Sequence, residues 1–134
     1  MPGKSKPEEF IIFCSHYDHV GTTNTNLYGR FCRVKQDDKK DGIYNGANDN
    51  ASGTSAVILL AKYFAAKNQN ERTILFFPFS GEEICLKGSY NFSSKINPEK
   101  IKAVVNIEMT VNGLSTITTI HILLVTVAQI FGIP

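Results

Sequence analysis

Phe10-Ile11-Ile12-Phe13-Cys14-Ser15-His16-Tyr17-Asp18-His19 is a short β-branched and aromatic run that stops on histidine and aspartate. A continuous apolar run of this length suits a strand covered on both faces. The carboxyl ends of such strands are where open α/β sheets gather their ligands. Two further runs have the same form: Thr73-Ile74-Leu75-Phe76-Phe77-Pro78-Phe79 leads to Gly81-Glu82-Glu83, and Lys102-Ala103-Val104-Val105-Asn106-Ile107 leads to Glu108. Three predicted strand ends thus deliver imidazole and carboxylate groups. These are ligands of catalytic zinc, and adjacent glutamates can supply one ligand and one general base, so the set points to a metallohydrolase.

Between the first two runs lies the clearest helix. Thr54 to Ala66 places Val57, Leu60, Ala61 and Phe64 at helical spacing, with Asn50 or Ser52 as its N-terminal cap. The loop before it, Gly46-Ala47-Asn48-Asp49-Asn50-Ala51-Ser52-Gly53, brings Asp49 close to a helix N-terminus, whose field favours an ionised, metal-binding carboxylate. Gly46 and Gly53 give that loop its tight path. A second short helix is predicted over Gly88 to Ser94, and Asn97-Pro98 marks the turn after it.

Taken singly, each polar element has an ordinary structural role. A histidine near a strand end is commonly a hydrogen-bonded structural residue, an Asn-Asp-Asn loop is commonly a turn, and a Glu-Glu pair is commonly solvated. Their order argues otherwise, because each follows or ends an apolar run.

Read together, SHYDHVG, DGIYNGANDNASGTSAVILLAKYFA, TILFFPFSGEE, LKGSYNF and AVVNIEM resemble the co-catalytic zinc aminopeptidases of clan MH, a group that includes leucyl aminopeptidases and glutamate carboxypeptidase-like enzymes. The resemblance covers about residues 10–112, with the motifs in family order, and leaves the tail 113–134 outside it. It implies an α/β fold: a three-layer α/β/α sandwich around a mixed, largely parallel sheet. Residues 1–134 are then expected to form a single, incomplete catalytic domain. The implied activity is zinc-dependent exopeptidase chemistry of the aminopeptidase type on a peptide substrate.

By the same resemblance, His16 is the first histidine ligand and Asp49 the carboxylate that bridges two zinc ions. Glu83 is a ligand of one ion, Glu108 a terminal ligand of the other, and Glu82 the general base. Asp18 matches the aspartate that orients His16. Strand geometry supports that pairing, since residues two apart share a face, and a carboxylate behind a metal-bound imidazole fixes its tautomer.

The family pattern also expects a second histidine ligand, well downstream of Asn106-Ile107-Glu108-Met109, for the ion that Glu83 binds. Only His121 remains, in an apolar segment unlike the family. One zinc site (His16, Asp49, Glu108) therefore has all its protein ligands, and the other (Asp49, Glu83) lacks one. Two alternatives stay open: a glutaminyl-cyclase-like zinc acyltransferase on the same fold, or a truncated, non-catalytic zinc-binding or interaction fragment.

Composition agrees with a single globular domain: 134 residues, 43% hydrophobic and 19% charged. A net charge of +2, scattered along the chain, argues against nucleic acid as a partner. Residues 35–41 mix both signs and read as a solvated loop. None of the three cysteines has metal-binding spacing. The first nine residues are not followed by the apolar core and cleavage site of a complete secretory signal. That predicts a cytoplasmic protein if this N-terminus is genuine and an exported one if it is not. Residues 117–134 are apolar but interrupted by Thr118, Thr119, His121, Thr126 and Gln129. They read as a buried strand or helix, or as an out-of-frame tail, rather than as a membrane span.

Overall fold

In a computed structural model, which describes residues 1–22 and 42–110, the first apolar run forms the middle strand of a sheet. Strand β1 (Lys6–His16) is hydrogen-bonded on one side to β4 (Arg72–Phe79) and on the other to β5 (Ile101–Asn106). Both pairings are parallel, with Ile12 opposite Leu75 and Val104, and His16 opposite Phe79. A central parallel strand must be apolar on both faces, which is why Phe10 to Cys14 shows no polar alternation. A separate two-residue antiparallel pairing joins β2 (Gly21–Thr22) to β3 (Ile43–Tyr44).

The two faces of the sheet are covered by different helices. Helix α1 (Gly53–Lys67) sets Phe64 against Phe13 and Phe76, with ring centroids 5.7 and 6.4 Å away. Helix α2 (Lys87–Ser93) sets Phe92 against Phe77 and Phe79, at 4.1 and 5.6 Å. Phe76 and Phe77 are neighbours in β4 and so point to opposite faces. The described residues therefore form three layers, helix on sheet on helix. On the α2 side Ile12, Cys14, Ile101 and Val104 make a buried cluster, flanked by Leu75, Phe77, Phe79, Phe92 and Ile96.

The predicted helices both form, each starting one residue earlier than the sequence suggests. Val57 is buried and Leu60, Ala61 and Phe64 are half-buried along the inner face of α1, as their spacing requires. Asn97 accepts a hydrogen bond from the Glu99 amide at 3.0 Å and opens the turn Pro98–Lys100 ahead of β5. The described three-stranded sheet is parallel throughout. Among the described residues no helix is long and apolar enough to cross a membrane. The charged loop 35–41, the apolar stretch 117–134 and His121 lie outside the described residues.

Cys14 is a free, buried thiol whose pKa is pushed up to about 12, chiefly by burial and further by the charge of Glu108.

Candidate metal centre

All three strands of the sheet stop at the same edge, and the next residues carry the polar groups. β1 ends on His16, which is 4% exposed. The ladder continues past it, with the Tyr17 amide donating to the Phe79 carbonyl and the Ile107 amide to the Cys14 carbonyl, both at 2.9 Å. Those bonds hold the segments leading to Asp18, Gly81 and Glu108 side by side.

Asp49 reaches this edge from an irregular helical turn, Ala47–Ser52. Asp49 and Asn50 leave helical geometry there (φ −109°, ψ 92° and φ −136°, ψ 40°), and the peptide between them is cis. Gly46 opens the turn at φ +66°, where a side chain would be strained, and a Cβ on it would lie 3.0 Å from that of His19. Gly53 serves differently: a Cβ there would run into the Ile107 carbonyl oxygen and the Asn50 side chain. Close approach is what that glycine provides.

Asn50 fixes the turn in place. It is 1% exposed, donates from Nδ2 to the Ile107 carbonyl at 3.0 Å, and accepts at Oδ1 from the Gly53 and Met109 amides at 3.1 Å each. Ser52 holds the N-cap position of α1 without capping it; its hydroxyl donates to the Asn48 carbonyl at 2.7 Å and accepts from the Thr110 amide at 3.0 Å. Of the two candidate caps, Asn50 is the one that satisfies the first helical amide. Thr54 adds a hydroxyl bond to the His16 carbonyl at 2.8 Å. The loop bearing Asp49 is thereby stitched to both β1 and the segment after β5.

His16 Nε2 lies 3.0 Å from Asp49 Oδ1. Behind the ring, Nδ1 is 3.0 Å from the Asp18 backbone carbonyl and 3.7 Å from its carboxylate. The nearer partner of the imidazole is thus the main chain of Asp18. The Asp18 carboxylate in turn accepts from the Glu82 amide at 3.3 Å, tying the first strand end to the Gly81-Glu82-Glu83 turn. Gly81, at φ +77°, makes that turn.

On the other side of Asp49, His19 Nδ1 is 2.7 Å from Glu83 Oε1 and 3.9 Å from Asp49 Oδ2. One ligand atom from each of His19, Asp49 and Glu83 lies within 4.8 Å of the others, and all three side chains are partly exposed. Among the described residues this is the one three-residue group so closely assembled. His16, Asp49 and Glu108 do not form a second: the Glu108 carboxylate accepts from Asn106 Nδ2 at 2.6 Å instead. Imidazole nitrogen with two carboxylate oxygens is a donor set that suits zinc.

His19 carries no sequence signal of its own. Strand parity groups His16 with Asp18 and leaves residue 19 on the opposite face. Only because β1 stops at His16 can the chain turn His19 back toward Glu83.

Burial pushes the Glu82 carboxyl above its ordinary range. His16 opposes the shift, while the nearby carboxylates Glu83, Glu108 and Asp49 add to it. A carboxyl crowded by like charges and partly desolvated is inclined to hold a proton.

Comparison with known proteins agrees with this chemistry. The family model for peptidase family M28 matches residues 1–126. A curated protein described as "Probable zinc metalloprotease", from Phaeosphaeria nodorum (strain SN15), is 29% identical over 116 residues, which is 84% of this chain. The aligned part spans 23% of that relative's length. No solved structure matches the chain.

Proposed function

The chain belongs to peptidase family M28, and on that premise we propose that it serves a zinc-dependent exopeptidase reaction of the aminopeptidase type. The observation that carries the proposal is the contact of His16 Nε2 with Asp49 Oδ1 at 3.0 Å, on a sheet edge that also receives Glu82 and Glu83. Holding roles fall to His16, Asp49 and Glu108 for one zinc ion and to Asp49 and Glu83 for a second. Zinc bound there would polarise a scissile carbonyl and lower the pKa of an attacking water.

The protein's own part is to move a proton and keep its groups aligned. Glu82 takes the proton from the attacking water on its carboxylate and returns it to the leaving amine. A carboxyl raised above its ordinary pKa by burial is better matched to that shuttle at neutral pH than a solvated one. Asp18 holds His16 from behind through its carbonyl and holds the Glu82 amide through its carboxylate, so one residue aligns both partners. The Asp49 side chain, 41% exposed, leaves the edge open to a peptide end.

Glu82→Gln tests the assignment. It is expected to slow hydrolysis of aminoacyl-p-nitroanilides by about 10²–10⁴-fold with zinc content unchanged. Loss of zinc in that variant would make Glu82 a ligand, and undiminished hydrolysis would remove it from the mechanism.

A further inference from the structure

Resting on the zinc reading above, we infer that His19 supplies the third protein ligand at the position of Asp49 and Glu83. The stretch His16 to His19 then serves both ion positions. The two oxygens of Asp49 face different histidines: Oδ1 lies 3.0 Å from His16 Nε2, and Oδ2 lies 3.9 Å from His19 Nδ1. That is the arrangement a bridging carboxylate needs.

His19 meets Glu83 at hydrogen-bond distance, and what points beyond a simple ion pair is the second carboxylate, close enough for all three residues to share one ion. Ligand atoms about 2.0–2.2 Å from a tetrahedral zinc stand about 3.3–3.6 Å from one another. The His19–Glu83 and His19–Asp49 separations, 2.7 and 3.9 Å, lie on either side of that range. A structural ion pair requires one carboxylate, whereas here two converge on the same ring nitrogen. Two carboxylates drawn together repel, and a bound cation relieves that repulsion.

The ring is also held in place. Gly46 lies so close behind it that a Cβ would come within 3.1 Å of His19 Cγ, and the Tyr44 ring meets it edge-on with centroids 6.3 Å apart. His19 and Glu83 are 21% and 14% exposed, low enough to keep the ligands ordered and open enough to admit an ion.

Calorimetric titration of the metal-stripped 134-residue chain with zinc tests this, alongside His19→Asn and His16→Asn. Asparagine at 19 keeps a donor for Glu83 but is a poor zinc ligand, so it separates the ligand role from packing. The unaltered chain is expected to take two zinc ions. His19→Asn should weaken one of them by more than about 100-fold, as loss of one ligand from a small set does, and leave the one that His16→Asn removes. Zinc binding that His19→Asn leaves unchanged overturns the inference and leaves the proposed function standing. No zinc binding by the unaltered chain overturns both. Imidazole nitrogen NMR of the unaltered chain gives a reading free of any folding defect in the variants. The His19 Nδ1 resonance is expected to shift on adding zinc, and its failure to move overturns the assignment.

Discussion

Replacing Asn50 with alanine should cost this fold more than its single buried side chain suggests. Asn50 makes three hydrogen bonds, all to backbone groups: to the Ile107 carbonyl at 3.0 Å and from the Gly53 and Met109 amides at 3.1 Å. Alanine would take this partner from the Ile107 carbonyl and the Met109 amide at a site where the side chain is 1% exposed, while the Gly53 amide would keep its bond to the Asn50 backbone carbonyl. An unsatisfied buried backbone group costs about 1–3 kcal/mol, and water entering the vacated space would recover part of that. With two such groups the expected loss is therefore about 2–5 kcal/mol, a large share of the roughly 5–15 kcal/mol that holds a domain together. The assay is urea unfolding of the metal-free chain, read as a shift in midpoint at constant slope. Zinc should also restore less stability to the variant than to the unaltered chain, because Asn50 joins the Asp49 loop to the segment carrying Glu108. A loss under about 1 kcal/mol, with zinc stabilisation undiminished, would refute the view that Asn50 clamps the site.

Gly53→Ala should destabilise for a steric reason. Its φ of −65° is open to any residue, but a Cβ would collide with the Ile107 carbonyl and the Asn50 side chain, an overpacking worth about 1–3 kcal/mol. An unchanged melting temperature would count against so close an approach. Glu82 predicts a pH dependence of the metal-free chain. Its folded pKa lies above the unfolded value, so between the two the folded chain holds a proton that the unfolded chain has released. Stability is then full below the ordinary glutamate pKa and falls as pH rises through the raised one. Glu82→Gln should remove that part of the slope. Urea midpoints of the two proteins in chelator, compared from pH 4 to pH 7, read it directly, and parallel curves would contradict the shift.

The strands and helices could be read from the sequence because each is specified locally. Phe10 to Cys14 and Thr73 to Phe77 are apolar without alternation, as strands covered on both faces must be, and Val57 to Phe64 repeat at helical spacing. What holds the candidate site together is non-local. Asn50 reads as a helix cap, and it is one, but its bonds to Ile107 and Met109 cross 57 and 59 residues of sequence and follow from no periodicity. Asp18 likewise reads as a carboxylate behind His16, whereas its carbonyl stands closer to the ring and its carboxylate reaches across to the Glu82 amide.

The two histidines of the first motif show where strand logic stops applying. His16 is the last residue of β1, buried, with its orientation set by the sheet. His19 comes after the sheet has released the chain, and its orientation depends on Gly46, Tyr44 and the Glu83 carboxylate. Parity along a strand can therefore find the first histidine and its aspartate but not the second. It follows that the two sides of Asp49 differ in rigidity of origin: one faces a histidine built into the central strand, the other a histidine held by loops. An ion at the loop-built position would have to organise more of its own surroundings, so of the two it is the one whose affinity should respond more strongly to changes in the Gly46 turn.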